Sequence, residues 1–219
     1  WQLMEEEMRG RRCWSGLDLS TTTDQTAWVL QFEPLEGETS WSILPRLWVP
    51  ADNVEKRARA DRVAYDKWAA SGAIRTTDGN TVDYAEIRRQ VIADGEAFDI
   101  QGLAVDRLWQ GHETGVLLSE HGLPVVPFGQ GYWSMSQPSK DFEVLAMSGH
   151  FDAGGHPVMR WAVENVRYAQ DDAGNIKPSK SRSSEKIDPV VALIMAVGLA
   201  KRGDDDGADA YFASLRDAT

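Results

Sequence analysis

Three aspartates in this sequence stand directly beside apolar residues, a setting in which ionised carboxylates are seldom found without a partner. They are Asp18, Asp106 and Asp188. A buried carboxylate is stabilised by a cation, by hydrogen bonds or by a metal ion. Mg²⁺ prefers carboxylate oxygen and water, and two divalent ions about 3.5–4 Å apart catalyse phosphodiester hydrolysis in many enzymes. The pattern therefore indicates a metal site suited to phosphodiester hydrolysis.

Each aspartate taken alone also has an ordinary structural interpretation. Asp18 is equally compatible with a strand-end acid that accepts hydrogen bonds from loop amides. Asp106 is compatible with an ion pair to Arg62 or Arg107. Asp188 precedes a proline at the start of an apolar run, which is typical of a helix N-cap. The metal-site hypothesis rests on the combination of one acid on the first strand, one after a later strand and one at the head of a late helix.

The hydrophobic pattern predicts the elements that carry these acids. Strands bounded by turn residues are predicted at 13–19, 26–33, 41–49, 98–105 and 123–128. Helices are predicted at 52–71, 84–96, 111–121, 139–148 and 187–201. This order predicts an α/β fold with a mixed sheet flanked by helices. Three antiparallel strands come first, and the later strands run parallel with helical crossovers.

The remaining segments complete the predicted organisation. Residues 129–138 (GQGYWSMSQP) are predicted to form a mobile loop near the strand ends, and residues 170–182 a hairpin. Residues 1–12 are predicted to be a lead-in segment, residues 13–202 one domain and residues 203–219 a C-terminal tail.

The charge balance limits any role with nucleic acids. The 219 residues carry a net charge of −11, whereas a protein that binds DNA through phosphates needs basic surface. Basic clusters lie inside the chain at 9–12, 57–62 and 177–186, and a solvated face is the alternative interpretation of each. No apolar run reaches the ~20 residues of a membrane helix. The single Cys13 excludes an internal disulfide.

Several short motifs follow one another over residues 13–200. They are Gly-Leu-Asp-Leu-Ser at 16–20 with Asp24 behind it, Trp-Val-Pro at 48–50, Tyr-Asp-Lys-Trp at 65–68, Asn-Thr-Val-Asp-Tyr at 80–84, Val-Asp-Arg at 105–107, Pro-Ser-Lys at 138–140, His-Pro-Val-Met-Arg-Trp at 156–161 and Lys-Ile-Asp-Pro-Val-Val-Ala at 186–192. In this order and spacing they resemble the nuclease domain of the large terminase subunit of tailed bacteriophages. Together the motifs span nearly the whole chain.

The resemblance implies a ribonuclease H-like fold and a Mg²⁺- or Mn²⁺-dependent endonuclease. Such an enzyme cleaves double-stranded viral DNA during genome packaging by two-metal hydrolysis. The resemblance also implies Asp18, Asp106 and Asp188 as ligands of two ions, with Asp24 as a supporting acid. Family members carry an ATPase motor domain before the nuclease. This chain has no Gly-x-x-x-x-Gly-Lys-Ser/Thr phosphate loop, so we expect an excised domain.

The other implied partners are the portal and the small terminase subunit, besides double-stranded DNA itself. No membrane association is expected. The expected location is the cytoplasm of the infected bacterial host.

Five basic residues are candidates for contact with DNA or with the reacting phosphate. They are Lys140, Lys177, Lys180, Arg182 and Lys186. Lys140 and Lys186 are each expected to reach the scissile phosphate, to balance the carboxylates, or to be surface lysines. The other three would contact DNA from the predicted hairpin. His156 is expected to be a turn histidine bonded to the backbone.

Two other functions remain compatible with the sequence. One is another ribonuclease H-like nuclease, such as a junction resolvase or transposase core, which would prefer branched DNA. The other is a non-catalytic DNA-packaging interaction module in which the acids are structural. Divalent metal bound at the three acids would favour an enzyme over the second alternative.

Overall fold

A computed structural model describes residues 1, 4–19, 25–61, 63–107, 110–183 and 186–203. The strands are β1 (Arg12–Asp18), β2 (Thr26–Phe32), β3 (Trp41–Pro50), β4 (Arg75–Thr77), β5 (Asp99–Asp106), β6 (Val125–Phe128), β7 (Phe151–Asp152), β8 (Tyr168–Gln170) and β9 (Ile176–Pro178). The helices are α1 (Met4–Glu7), α2 (Val54–Asp61), α3 (Tyr65–Ala70), α4 (Tyr84–Ala97), α5 (Gln110–Glu120), α6 (Tyr132–Met147), α7 (Pro157–Asn165) and α8 (Asp188–Gly203). Among these described helices, none is long and apolar enough to cross a membrane.

The main sheet is mixed, with the strand order β4-β3-β2-β1-β5-β6 and with β7 paired to the start of β3. β1, β2 and β3 form an antiparallel meander. β5 runs parallel to β1, and β6 runs parallel to β5. The predicted mixed α/β sheet is therefore confirmed, including the change from antiparallel to parallel pairing. β8 and β9 form a separate antiparallel hairpin in the region where one was predicted.

Two hydrophobic cores lie on opposite faces of the sheet. Helix α8 packs across β1, β2 and β5 on one face, and its residues 188–200 are buried throughout. Helix α4 covers the other face through Ile87 and Val91. Side chains alternate along β1, so Trp14 joins the α8 core and Leu17 joins the α4 core. Asp18, which follows Leu17, therefore faces α8.

A buried charge network ties α1 and α4 to the sheet. Arg46 of β3 donates from Nη2 to Asp94 Oδ1 at 2.9 Å, and Trp28 Nε1 donates to Asp94 Oδ2 at 2.9 Å. Arg46 Nη1 also donates to Glu5 at 2.8 Å. Burial opposes the charge of Arg46, but hydrogen bonds with Glu5 and Asp94 outweigh it and raise the pKa of the guanidinium. Part of the predicted lead-in segment is thus joined to the domain.

The helix predicted at 52–71 is interrupted, so that prediction was wrong in its continuity. A short 3-10 turn, α2 and α3 replace it, and Ala64 before α3 has the non-helical angles φ −80° and ψ 53°. Tyr65 is 1% exposed, and its ring packs edge-on against Trp68 and Trp161 at centroid distances of 5.4 and 6.2 Å. The chain bends just before this buried ring, although no proline or glycine there predicts a bend.

The prediction for the segment before residue 139 was also wrong. Residues 129–138 were expected to be a mobile loop, yet α6 begins at Tyr132 and carries Pro138 in its interior. Proline removes a helical hydrogen bond and normally disfavours this position. Here Pro138 is buried against α8, where a Cβ added to Gly198 would lie 2.9 Å from the proline ring. Packing between α6 and α8 therefore outweighs the local preference.

His156 occupies the turn before α7, as predicted, and its Nδ1 accepts a hydrogen bond from the backbone N–H of Met159 at 3.3 Å. The side chain is 2% exposed. Burial lowers the pKa of His156 from 6.5 to about 4, because the charged imidazolium is poorly solvated there. The folded protein therefore favours the neutral ring that caps α7.

We expect the stability to decrease as the pH falls from about 6.5 to about 4. In this window the unfolded chain binds a proton at His156 that the folded chain does not. The loss should amount to no more than about 3–4 kcal/mol. The His156→Asn variant keeps a capping side chain, and its free energy of unfolding in urea should vary less over this window. His121→Asn, at an exposed histidine, should keep the wild-type pH dependence. Equal pH dependence in both variants would contradict the assignment.

Candidate functional site

The ends of β1 and β5 bring two predicted ligands side by side. Leu17 pairs with Val105 in the parallel register of these strands. Asp18 and Asp106 follow this pair directly. Because the paired leucine and valine belong to the α4 core, alternation places both aspartates on the α8 face. Asp106 also pairs with Phe128 of β6, a residue of the α8 core, which agrees with this assignment.

The third aspartate reaches the same face through a close contact between α8 and β1. A Cβ added to Gly16 would lie 2.0 Å from the carbonyl oxygen of Ala192, so a side chain at this position collides with the helix backbone. Asp188 is the first residue of α8, about one turn before Ala192. The glycine contact therefore sets where the start of α8 lies relative to Asp18.

One lysine joins the first and last of these acids. Lys180 Nζ donates to Asp18 Oδ2 at 2.9 Å and to Asp188 Oδ1 at 2.6 Å. Gln130, which follows β6, donates from Nε2 to Asp18 Oδ1 at 3.0 Å. The two carboxylates therefore face each other across a single ammonium group. Both oxygens of Asp18 have partners from distant parts of the chain.

The two acids are deeply buried, whereas the lysine is not. Asp18 and Asp188 are each 3% exposed, and the Lys180 side chain is 52% exposed. Burial raises the pKa of Asp188, the ammonium of Lys180 lowers it and the charge of Asp18 raises it, with a net increase. Burial opposes the charge on Lys180, but the two carboxylates outweigh burial and raise the pKa of the lysine. The ammonium of Lys180 therefore favours the charged form of Asp188.

Asp188 retains coordinating capacity beyond the lysine. Its Oδ2 atom is buried, and the described residues provide no hydrogen bond to it. The predicted alternative role of this residue was a helix cap, yet its Oδ1 atom is held by Lys180. An oriented, buried carboxylate oxygen of this kind suits a hard cation such as Mg²⁺ or Mn²⁺.

The other two predicted acids are less closely grouped. Within the described residues, no three Asp, Glu, His or Cys side chains lie close enough to hold one metal ion. Asp106 is half-buried at the end of β5, the strand next to the one that carries Asp18, and it has an interaction partner of its own. Asp24 falls in the segment 20–24, outside the described residues. The roles of Asp106 and Asp24 stay predictions, and the close pair consists of Asp18 and Asp188.

Three of the predicted DNA-contact residues line one cleft of about 530 Å³ next to the acid pair. They are Lys177, Lys180 and Arg182. Lys177 lies over the ring of Tyr132 at 5.1 Å and donates to the backbone carbonyl of Gln130 at 3.5 Å. Arg182 is exposed and donates to the carbonyl of Tyr168 at 3.3 Å. The β8–β9 hairpin and the segment after it thus give this cleft a positive wall.

Two of the predicted lysines, Lys140 and Lys186, are not among the residues that line this cleft. Lys140 was expected at the head of a helix, but it is exposed in the middle of α6. Hydrogen bonds from Asn175, helped by the charge of Lys140, lower the pKa of Asp171 in the hairpin turn. Lys186 is half-buried and has a partner. Lys180, which was expected only to contact DNA, is the lysine that balances the carboxylates.

Sequence reasoning did not identify Gln130 or the packing role of Gly16. Gln130 stands between two glycines directly after β6, and a polar residue in a glycine-rich turn at a strand end was the available signal. Gly16 lies two residues before Asp18 within a buried strand, where glycine usually marks a close backbone approach. Both signals were present, although neither specifies which distant residue makes the contact.

We expect Gly16→Ala to destabilise the domain by about 1–3 kcal/mol, because the added methyl group forces α8 away from β1. The same displacement separates Asp188 from Asp18, so metal affinity should decrease together with the melting temperature. Gly131→Ala is the matched control, since a Cβ there meets nothing within 4 Å and its φ is −85°. Thermal unfolding of both variants tests this, and equal melting temperatures would contradict the close contact.

The fold and the site define a ribonuclease H-like domain, with acids at the ends of its central strands and at the head of the helix packed on them. Residues 3–204 match the family model described as the terminase large subunit, endonuclease domain. The chain therefore belongs to the terminase large subunit endonuclease domain family, and the resemblance seen in its motifs is confirmed.

Comparison with individual proteins agrees with this assignment. The chain is 36% identical over 192 residues to the terminase large subunit of Enterobacteria phage HK97, covering 87% of this chain and 38% of that protein. It therefore spans less than half of that relative. The crystal structure of the HK97 large terminase matches with a TM-score of 0.79 and 34% identity, covering 90% of this chain and 42% of that one.

A more distant structure shares the fold. The large terminase nuclease from thermophilic phage G20c, solved with bound magnesium, matches with a TM-score of 0.55 and 12% identity. The match covers 85% of this chain and 80% of that one. The same nuclease has also been solved with bound cobalt and with bound zinc.

Proposed function

We propose that this domain is a divalent-metal-dependent endonuclease that hydrolyses double-stranded viral DNA during genome packaging. The observation that carries the proposal is the pair of buried carboxylates, Asp18 and Asp188, which face each other at the edge of a basic cleft. Membership of the terminase endonuclease family supports a nuclease role in genome packaging. The proposal also includes dependence on divalent metal and hydrolysis by two bound ions.

The donor set fits Mg²⁺ or Mn²⁺ better than softer metals. The ligands offered are carboxylate oxygens, which hard divalent cations prefer. The buried Oδ2 atom of Asp188 has no hydrogen-bond partner among the described residues, and Asp18 is oriented by Gln130. We assign Asp18, Asp106 and Asp188 as the ligands of two ions, with Asp24 in support. The G20c nuclease, solved with magnesium, cobalt or zinc, supports the use of a divalent ion.

The chain's own residues position the reacting groups. A bound pair of divalent ions would supply an acidified attacking water and would neutralise the leaving oxygen. Asp18, on the central strand, would hold both ions, while Asp106 and Asp188 would each hold one. Gln130 keeps the Asp18 carboxylate in a fixed orientation through the bond at 3.0 Å. Such fixed geometry is needed because misplacement by about 1 Å has a large effect on rate.

The basic cleft provides the place where a DNA backbone would lie. Lys177 and Arg182 would contact phosphates on either side of the scissile bond, and such contacts carry no base specificity. Trp133 is 90% exposed, at the start of α6 and next to the Tyr132 ring under Lys177. An exposed indole is suited to stacking contact with a sugar or base. Cleavage should therefore show little sequence preference.

The isolated domain should bind DNA weakly. The net charge of −11 opposes association with phosphates, so affinity would depend on further partners. We propose an ATPase motor domain, the portal and the small terminase subunit as those partners, in the cytoplasm of an infected bacterium. The chain covers only 38% of the HK97 subunit, which leaves room for such a motor in a longer protein.

Plasmid cleavage tests the proposal directly. Supercoiled plasmid incubated with the domain at low ionic strength should be nicked and linearised with Mg²⁺ or Mn²⁺, and should remain intact with EDTA. Linear duplex should be cut at least as well as branched DNA. No cleavage with either metal would favour the non-catalytic interaction module, and a strong preference for branched DNA would favour a resolvase.

A further inference from the structure

We propose that Lys180 is a built-in cation that competes with divalent metal for Asp18 and Asp188, so that metal binding requires the lysine to leave. This inference rests on the proposed function, because it concerns the same two acids. In this proposal Lys180 controls the access of metal to the acid pair, in addition to any contact with DNA.

The competition follows from the atoms that Lys180 contacts. Its Nζ atom lies 2.9 Å from Asp18 Oδ2 and 2.6 Å from Asp188 Oδ1. A Mg²⁺ ion shared by the same two carboxylates would lie about 2.0–2.1 Å from its ligand oxygens. An ammonium and a divalent ion so close together would repel each other strongly in a poorly solvated site. Either the ammonium or the metal ion can therefore lie between the two carboxylates, but not both at once.

The surroundings of Lys180 allow its side chain to leave without refolding of the backbone. The backbone on its N-terminal side is fixed, since Ser179 N donates to the carbonyl of Arg167 at 2.8 Å and Ser183 Oγ donates to the carbonyl of Ser179 at 2.8 Å. The lysine side chain is 52% exposed, whereas each partner carboxylate is 4% exposed. Lysine also has a long stem with freely rotatable bonds. A change of rotamer is therefore sufficient.

The cleft next to the acids receives the displaced ammonium. Lys180 already lines this cleft together with Lys177 and Arg182. Three cations in one cleft repel each other, which favours the position between the carboxylates for Lys180 until an anion enters. A DNA phosphate in the cleft would give the displaced lysine a new partner. Metal at the acids and phosphate in the cleft would then both favour the displaced position of Lys180. Each ligand would therefore increase the affinity of the domain for the other.

Isothermal titration with Mn²⁺ alone at about pH 8, well above the ordinary pKa of an aspartate side chain, tests the competition. Lys180→Met removes the charge and keeps a similar stem. We expect it to bind Mn²⁺ at least about fivefold more tightly than the wild type, the lower end of ordinary coupling between two ligands. Lys177→Met is the matched control, because it removes the same charge from the same cleft without touching either acid. Its Mn²⁺ affinity should stay within about twofold of the wild type.

Thermal unfolding supplies a second readout. In EDTA the Lys180→Met variant should melt at a lower temperature than the wild type, because it has lost the ammonium that donates to both buried carboxylates. Mn²⁺ should raise its melting temperature by more than it raises that of the wild type. Equal Mn²⁺ affinity in the wild type and Lys180→Met would overturn the competition and leave the proposed function standing. Failure of every variant to bind Mn²⁺ would overturn both.

Discussion

Substitution of Asp18 by asparagine is expected to reduce metal-dependent plasmid cleavage at least about a hundredfold. Loss of residues that merely orient a metal ligand typically costs 10- to 100-fold, and loss of a ligand's charge should cost at least as much. Asparagine has nearly the same shape, and its side-chain oxygen can still accept the hydrogen bond that Gln130 donates to Asp18. The fold should therefore be retained, and the activity loss would report on chemistry.

The control for this experiment is an acid of the same type at the surface. Asp172→Asn, at an exposed position in the β8–β9 turn, should cleave plasmid at the wild-type rate. Circular dichroism and thermal unfolding of both variants would verify that each is folded. Cleavage by Asp18→Asn at the wild-type rate would remove Asp18 from the mechanism.

Substitution of Asp94 by leucine is expected to destabilise the domain by about 3–5 kcal/mol. Asp94 accepts hydrogen bonds from Arg46 at 2.9 and 3.2 Å and from Trp28 Nε1 at 2.9 Å. Arg46 is 6% exposed, so removal of Asp94 leaves a buried guanidinium whose remaining ion-pair partner among the described residues is Glu5. The free energy of unfolding in urea measures the effect, and a loss below about 1 kcal/mol would contradict it.

A double-mutant cycle separates loss of the ion pair from loss of packing. The double variant Asp94→Leu, Arg46→Met no longer buries a guanidinium that has lost its bonds to Asp94, so it should be more stable than the single Asp94→Leu variant. A buried pair replaced by apolar side chains of similar volume is often tolerated in this way. A double variant less stable than Asp94→Leu would mean that Arg46 stabilises the fold mainly by other contacts.

The fold was predictable where hydrophobic periodicity is strong. The buried strands 13–19 and 26–33 and the apolar helix 187–201 correspond closely to β1, β2 and α8. Two predictions failed where tertiary packing overrides local preference. Burial of Pro138 against Gly198 allows a helix to continue through a proline. Burial of Tyr65 accompanies the bend between α2 and α3.

The candidate site was predictable in its acids but not in their partners. Asp18 and Asp188 are separated by most of the chain, yet each is marked by an apolar setting that makes a lone charge costly. Lys180 and Gln130 carry no such mark, because a lysine or glutamine in a polar loop is ordinary. Their contacts with Asp18 depend on the length of the β8–β9 hairpin and on where β6 ends.

Anomalous diffraction from crystals soaked in millimolar Mn²⁺ is the most direct test of metal binding at these acids, because it locates metal independently of any activity. We expect two manganese positions about 3.5–4 Å apart, bound by the carboxylates of Asp18, Asp106 and Asp188, with Lys180 displaced from between the acids. Absence of manganese from these carboxylates, with Lys180 still donating to Asp18 and Asp188, would mean that the acids do not form a metal site.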